Sequence, residues 1–184
     1  MASETCALCG LTYMPDNEAD QIAHARRHEL ILRAHNPEPK EMFLHSLLKS
    51  NGRPLFVCCA SPMWMHEAVH IRSFAFAVEV PGGKIAWPED GRTMPIECHA
   101  YLFGDDTETL PKGTIAGAGG FRSVPRKNGL SRPRFEWMWL CPALRRKGIL
   151  TRQWEWLKQQ NNDFDFDPIT EAMQKFSQKL ALAN

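Results

Sequence analysis

The 184-residue sequence lacks an excess of charge of either sign. Twenty-two Lys and Arg stand against 21 Asp and Glu, which leaves a net charge of +1. A protein that binds nucleic acid or an anionic membrane through its overall field carries a large positive excess. The charge balance therefore disfavours that class of protein, and any basic surface must be local.

Long apolar runs are also missing. The longest candidate, Phe74 to Val80, contains Glu79 and is far shorter than the roughly 18 apolar residues of a membrane span. The N-terminal segment, Met1 to Cys6, has neither the basic start nor the apolar stretch of a secretory signal. These absences predict an intracellular protein, cytoplasmic or, in a eukaryote, nuclear.

The remaining composition is that of a folded globular chain. Hydrophobic residues make up 43%, with 12 Gly and 13 Pro, and a chain of this length can build one sizeable core. Six cysteines in a reducing compartment indicate metal ligands or small buried side chains rather than disulfides. Near His35 to Pro39, a Cys- and His-rich segment gives way to longer apolar segments. This change predicts a small module over residues 1–35 and a larger domain over 36–184.

Apolar periodicity and turn residues predict alternating helices and strands beyond the module. Helices are expected over residues 40–50, 62–80, 145–160 and 169–182. The second of these helices is expected to begin with Ser61 as N-cap and Pro62 at the first position, and to end at Pro81-Gly82-Gly83. Strands are expected over residues 54–59, where the strand is expected to be buried, 96–103, 114–121, 134–140 and 164–166. This order predicts a mixed α/β, or α+β, domain.

Cys6-x-x-Cys9 followed by His24-x-x-x-His28 has the spacing of a zinc site. Two thiolates from a turn and two imidazoles from one helix can close a tetrahedron around the ion. Four protein ligands leave no open position, so the zinc is expected to be structural and to supply the folding energy that a module of this size cannot obtain from a core. A finger that reads DNA fits less well, because there is one finger and Asp16, Glu18 and Asp20 place negative charge near it.

A basic, glycine-containing loop follows the predicted strand 134–140. The strand, the loop and the helix after it form an anion site, because the N–H groups at a helix N-terminus point outward at the positive end of the dipole. A solvated basic helix start would explain the same residues. The residues expected to hold a diphosphate are Leu140, Cys141, Arg145, Arg146, Lys147, Gly148 and Ile149.

The Arg-x-x-Gly spacing after a strand resembles the pyrophosphate loop of the GNAT acetyltransferases, which bind acetyl-CoA there. The Cys-x-x-Cys-Gly-x-x-Tyr of residues 6–13, followed by Asp20, His24 and His28, resembles the finger of the cohesin acetyltransferases, which precedes a GNAT domain. The similarity returns at Gly129 to Arg132, at Trp139 and at Phe166-Asp167-Pro168-x-Thr170.

This resemblance implies a fold, a cosubstrate and a reaction. The fold is a small C2H2 zinc finger packed on a GNAT-type mixed sheet flanked by helices. The cosubstrate is acetyl-CoA, Zn²⁺ is structural, and the reaction transfers acetyl to an amine, with a protein lysine as the expected acceptor. The resemblance leaves the acceptor protein open.

Lysine acetylation needs a base to remove a proton from the ammonium group, and two acids are candidates. Glu136 lies within the strand 134–140, which often carries the base in GNAT enzymes, and Asp167 matches the Asp-Pro-Thr segment of the cohesin acetyltransferases. Glu136 as a surface acid and Asp167 as a helix cap are the structural alternatives. The two tyrosines, Tyr13 and Tyr101, are far from the last helix, so a tyrosine acid is not expected.

His66-Glu67-Ala68-Val69-His70 is an HExxH sequence on a predicted helix. Zinc peptidases use this arrangement for two metal ligands and a base. Glu97 or His99 would have to be the third ligand. A structural helix whose buried stripe includes Ala68 accounts for the same segment.

A third class is a non-catalytic module that binds through a basic loop. No acid occurs between residues 121 and 135, and the five cations of this segment could contact an acidic partner or nucleic acid, or flank the acceptor site. These cations are Arg122, Arg126, Lys127, Arg132 and Arg134.

Overall fold

The computed structural model describes residues 2–80, 87–88, 97–126, 130–162, 164–166 and 170–181. The described elements, in chain order, are β1 (Glu4–Thr5), β2 (Thr12–Tyr13), α1 (Glu18–His35), α2 (Glu41–Lys49), β3 (Leu55–Val57), α3 (Met63–Glu79), β4 (Cys98–Gly104), β5 (Ile115–Pro125), β6 (Ser131–Leu140), a 3-10 turn (Pro142–Leu144), α4 (Ile149–Gln160), β7 (Asp165–Phe166) and α5 (Glu171–Ala181).

The larger sheet has the strand order β3-β4-β5-β6-β7. Its first three pairings are antiparallel, whereas β6 and β7 are parallel. A parallel pair requires a crossover connection, and α4 supplies it. The predicted mixed α/β class, with a small Cys/His module at the N-terminus, is confirmed.

Glycines in β5 make room for the large rings of β6. A methyl group on Gly120 would lie 2.0 Å from the indole nitrogen of Trp137, and one on Gly119 would lie 2.9 Å from the ring of Phe135. Since Phe135 and Trp137 are almost fully buried, the small residues of β5 and the large residues of β6 together fill the centre of the sheet.

Aromatic side chains join the sheet to the helices. The ring of Trp154 in α4 lies 6.0 Å from Phe135 and 5.0 Å from Phe176 in α5, and Phe76 of α3 lies 6.1 Å from Trp137. Such tilted and edge-to-face pairs add to the free energy gained from burial. The core therefore lies between the sheet and helices α3, α4 and α5.

Several predicted boundaries need correction. The helix predicted from residue 62 begins at Met63, and Ser61 does not cap it, because the Ser61 hydroxyl accepts the N–H of Cys58 at 3.0 Å instead. The strand predicted over 54–59 is a short edge strand in which Phe56 is 49% exposed, so the prediction of a buried strand is wrong. The predicted helix stop at 81–83 lies outside the described residues.

The helix predicted from residue 145 begins only at Ile149. Arg146 and Gly148 have positive φ values of 64° and 79°, which is incompatible with a continuous right-handed helix through them. The strands β5 and β6 are longer than predicted, because their hairpin continues past the end of the β4 pairing to Pro125 and Ser131.

Helix α1 connects the N-terminal module to the rest of the chain. We call β1, β2 and α1 up to residue 30 the finger, and residues 36–181 the sheet region. In the second half of α1, Ile31 and Ala34 are buried, and the guanidinium of Arg27 lies 4.8 Å from the ring centre of Phe74 in α3. The helix ends at His35, where the sequence predicts the module boundary. Among the described residues, no helix combines the length and apolar content needed to cross a bilayer.

Candidate functional site

The four predicted zinc ligands come together. One ligand atom from each of Cys6, Cys9, His24 and His28 lies within 4.8 Å of the others. The hairpin between β1 and β2 presents the two cysteines, with Gly10 at φ 66° in its turn, and α1 presents the histidines one turn apart. Within the described ranges this is the only group of three or more Cys, His, Asp or Glu side chains that could hold a metal.

The chemistry of this cluster fits zinc. The Nε2 atom of His24 is buried and has no hydrogen-bond partner among the described residues, as a metal ligand without its ion would. The neighbouring His24 imidazole, the Cys9 N–H and the His28 imidazole lower the pKa of Cys6 to about 5, which favours the thiolate that binds metal. Two thiolates and two imidazoles form the closed tetrahedral set of a structural zinc site.

Short-range contacts fix the hairpin to α1. The side chain of Asn17 caps the helix by accepting the N–H groups of Ala19 and Asp20 at 3.0 and 3.2 Å. The Asp20 carboxylate accepts the Met14 N–H at 2.8 Å. This aspartate therefore stabilises the finger.

The loop over residues 141–148 begins where β6 leaves the sheet. The N–H of Cys141 donates to the Ala116 carbonyl at 2.9 Å, and the chain then forms the 3-10 turn. Gly148, with φ 79°, directly precedes the first turn of α4, where Ile149 is buried. The first N–H groups of a helix have no intrahelical acceptor, so this turn can bind an anion.

The cations of the 141–148 loop have different surroundings. Arg145 donates from Nε to the Leu140 carbonyl at 2.9 Å and from Nη2 to the Glu79 carboxylate at 2.7 and 2.9 Å. Lys147 donates to the Thr109 hydroxyl at 2.6 Å. Arg146 is exposed. Arg146 is therefore the cation best placed to move toward a ligand.

Glu136 occupies an irregular position in β6. Gly120 pairs with Trp137 while Phe121 pairs with Phe135, so Glu136 is the extra residue of a β-bulge. Its side chain is 25% exposed, and one oxygen lies 3.2 Å from Nε of Arg122. Bulges re-aim side chains beside functional sites, and this one leaves the carboxylate accessible from solvent.

Beyond the bulge, the edge of β6 that faces β7 is not paired with a described strand. The pairing of β6 with β7 consists of Arg134 with Asp165 and Phe135 with Phe166. From Glu136 to Leu140, no described strand pairs with this side of β6, so its N–H and C=O groups can receive an extended ligand. Asp167 lies outside the described residues. It follows Phe166, whose partner Phe135 precedes Glu136.

The HExxH segment does not form a second metal site among the described residues. The carboxylate of Glu67 is hydrogen-bonded to Arg33 of α1, and His70 donates from Nδ1 to the Trp87 carbonyl at 2.7 Å. His99, a candidate third ligand, contacts the Asn161 side chain at 2.7 Å. These contacts favour the structural interpretation of the helix.

The predicted basic loop is the end of the β5–β6 hairpin. Arg126 donates two hydrogen bonds to Asp165, at 2.8 and 2.9 Å, and Arg132 lies 3.3 Å from the same carboxylate. Arg134 is exposed, and Lys127 lies outside the described residues. Part of the positive charge is therefore neutralised within the protein.

Sequence reasoning did not find two of the residues around the 141–148 loop. Glu79 and His35 contact each other across 44 positions of the chain, with Nε2 of His35 3.1 Å from a Glu79 oxygen. No local motif links these residues. The one indication of Glu79 in the sequence is its position as an acidic residue inside the longest apolar run.

Comparisons with known proteins support a zinc finger at the N-terminus. The family model described as the zinc-finger of acetyl-transferase ESCO matches residues 1–30, which confirms the predicted resemblance over that segment. Among solved structures, a ribosomal-protein-alanine N-acetyltransferase from Brucella melitensis biovar Abortus 2308 is similar at 13% sequence identity and a TM-score of 0.47. The similarity covers 69% of this chain and 88% of that one. The curated proteins contain no significant match.

Proposed function

We propose that this chain is an acetyl-CoA-dependent N-acetyltransferase of the GNAT type, with a protein lysine as its acceptor. One observation carries the proposal: the strand β6 has an accessible carboxylate, Glu136, at one end of an open edge, and the other end leads into the basic 141–148 loop and the N-terminus of α4. In this proposal, the module of residues 1–35, which contains the finger, has a structural role, and residues 36–184 form the catalytic domain. Such a reaction takes place inside the cell, where acetyl-CoA is available.

The open edge of β6 suits the shape of acetyl-CoA. Leu140 lies four residue steps along the extended strand from Glu136, or about 13 Å. The pantetheine arm is extended and contains two amides, which can pair with backbone groups of this edge as an added strand does. The diphosphate would then lie at the N-terminus of α4, with Arg146 beside it.

The chemistry follows from this placement. Glu136 takes a proton from the acceptor ammonium, and the free amine attacks the thioester carbonyl carbon. A backbone N–H of the open edge stabilises the negative oxygen that develops. The carbon–sulfur bond breaks, the thiolate takes up a proton, and an amide and coenzyme A leave. The basic hairpin end, with Arg134 exposed, flanks the acceptor.

The roles of the two candidate bases are tested by pH–rate profiles on a generic lysine peptide. We expect Glu136→Gln to keep acetyl-CoA affinity, to lower turnover by about 10²- to 10⁴-fold and to remove the acidic limb of the profile. Glu155→Gln, an exposed change on α4, is the control and should keep full activity. If Asp167→Asn abolishes turnover in a folded protein while Glu136→Gln is fully active, the base is Asp167.

A further inference from the structure

Four separate elements meet at the carboxylate of Glu79, the last residue of α3. Its Oε1 accepts the indole N–H of Trp139 in β6 at 2.9 Å and lies 3.1 Å from Nε2 of His35, the last residue of α1. Both oxygens accept from Arg145 of the 141–148 loop. We call these four side chains the Glu79 junction.

Further contacts tie the same elements together. The ring of His35 stacks on that of Trp139 at 5.8 Å and 19°, and the Arg145 guanidinium lies 5.5 Å from the Trp139 ring centre. The thiol of Cys141 donates to the His35 carbonyl at 3.2 Å. The end of α1 and the 141–148 loop are thus connected at two points, through the side chains of the Glu79 junction and through the hydrogen bond from the Cys141 thiol to the His35 carbonyl.

The junction is sheltered on one side. Trp139 is 3% exposed, while about a third of the Glu79 and His35 side chains is exposed. Charge-assisted hydrogen bonds from a guanidinium held in two directions are stronger and better oriented than a solvated ion pair. Because Arg145 donates from Nε to the Leu140 carbonyl at the end of β6 and from Nη2 to Glu79, its guanidinium is oriented toward the protein.

We propose that Glu79 is a positioning residue that holds the 141–148 loop in the conformation that binds acetyl-CoA and couples this loop to α1. Arg145 then acts by fixing the path of the loop, so that the N–H groups ahead of α4 face the ligand. This inference rests on the proposed function for the identity of the ligand. The coupling itself is a property of the unliganded protein.

The same geometry predicts how strongly a change in the finger affects the 141–148 loop. His35 is seven residues beyond the metal ligand His28 in one continuous helix, which is two turns or about 10 Å. Loss of zinc should therefore loosen the loop less than loss of Glu79 itself, because the second half of α1 stays packed through Ile31 and Ala34.

The test compares two glutamates of α3 that each contact α1. Glu79→Gln keeps the size of the side chain and removes its charge, and Glu67→Gln does the same where the carboxylate contacts Arg33 and not the loop. We expect Glu79→Gln to weaken acetyl-CoA binding about tenfold with turnover within a fewfold of wild type. Amide exchange over 141–150 should rise in the unliganded protein. Glu67→Gln should change neither quantity.

A double-mutant cycle tests whether the coupling passes through Glu79. His35→Ala should weaken acetyl-CoA binding in the wild-type background and have little further effect in Glu79→Gln. His35→Gln, which can still donate to the carboxylate, should retain near wild-type affinity. If Glu79→Gln is too unstable to study, the two His35 variants carry the test.

The outcomes separate this inference from the proposed function. Wild-type affinity and unchanged loop exchange in Glu79→Gln, or equal effects of Glu79→Gln and Glu67→Gln, would overturn the role of Glu79. Two results together would separate the claims: faster amide exchange of the 141–148 loop in Glu79→Gln, and no acetyl-CoA binding by the wild-type protein. They would support the positioning role of Glu79 and reject the proposed function.

Discussion

The finger and the sheet region are stabilised in different ways. From residue 2 to residue 30, the only buried residue is the candidate zinc ligand Cys9, whereas the sheet region buries large side chains such as Phe43, Phe103 and Phe135 almost completely. A segment with so little buried apolar surface cannot offset the conformational entropy of folding without another source of free energy. The difference indicates that a zinc ion at the Cys/His cluster of the finger would stabilise the finger as a core does the sheet region.

Spectroscopy can follow the two regions separately. All six tryptophans lie in the sheet region, and Tyr13 is the only Tyr or Trp of the finger. Tryptophan fluorescence therefore reports on the sheet region, while zinc content and amide exchange over residues 2–30 report on the finger. The six tryptophans are Trp64, Trp87, Trp137, Trp139, Trp154 and Trp156.

Removing a zinc ligand should have the largest effect on the finger. Cys9→Ser, or chelation, removes most of a metal-binding free energy of about 10–16 kcal/mol, so residues 2–30 should unfold and release zinc. The urea midpoint from tryptophan fluorescence should fall only slightly. Cys59→Ser, at an exposed cysteine, is the matched control. A zinc-free Cys9→Ser protein with wild-type amide protection in the finger would contradict the comparison.

Adding one methyl group to β5 should affect the sheet region alone. In Gly120→Ala the new Cβ would lie 2.0 Å from the Trp137 ring, and such overpacking costs about 1–3 kcal/mol or more. Urea unfolding followed by tryptophan fluorescence measures this loss, with zinc content unchanged. Gly52→Ala is the control, because its methyl group meets nothing within 4 Å and only the positive φ of 74° is unfavourable. Wild-type stability of Gly120→Ala would refute this packing account.

The smallest expected effect is a pH dependence of the stability of the sheet region. Burial lowers the pKa of His99, although its hydrogen bond with Asn161 opposes the shift. The unfolded chain binds the proton near pH 6.5, so stability from this group is complete above about pH 6.5 and decreases as the pH falls toward the lower folded pKa. Urea midpoints at pH 7.5 and 5.5 should differ less in His99→Gln than in wild type. Exposed His45→Gln should behave as wild type, and a wild-type pH response in His99→Gln would count against the interpretation.

Local patterns predicted the finger well. The spacing of Cys6, Cys9, His24 and His28 specifies which atoms can meet, because a tight turn and one helical turn have fixed geometry. The order of helices and strands was also predictable from periodicity. Both are short-range properties of the chain.

The Glu79 junction could not be predicted in the same way. His35, Glu79 and Arg145 are brought together by the packing of α1, α3 and β6, and no repeat or motif relates their positions. The bulge at Glu136 likewise depends on pairing with β5. The sequence indicated Glu136 as a candidate and Arg145 as part of the loop, while their surroundings required the tertiary structure.

Calorimetric titration of acetyl-CoA into the zinc-loaded protein tests the proposed activity most directly. We predict saturable binding of one equivalent, and loss of that binding in Gly148→Val, because a branched side chain at a φ of 79° would distort the loop ahead of α4. No saturable binding by a wild-type protein with one bound zinc and native tryptophan fluorescence would contradict the proposal.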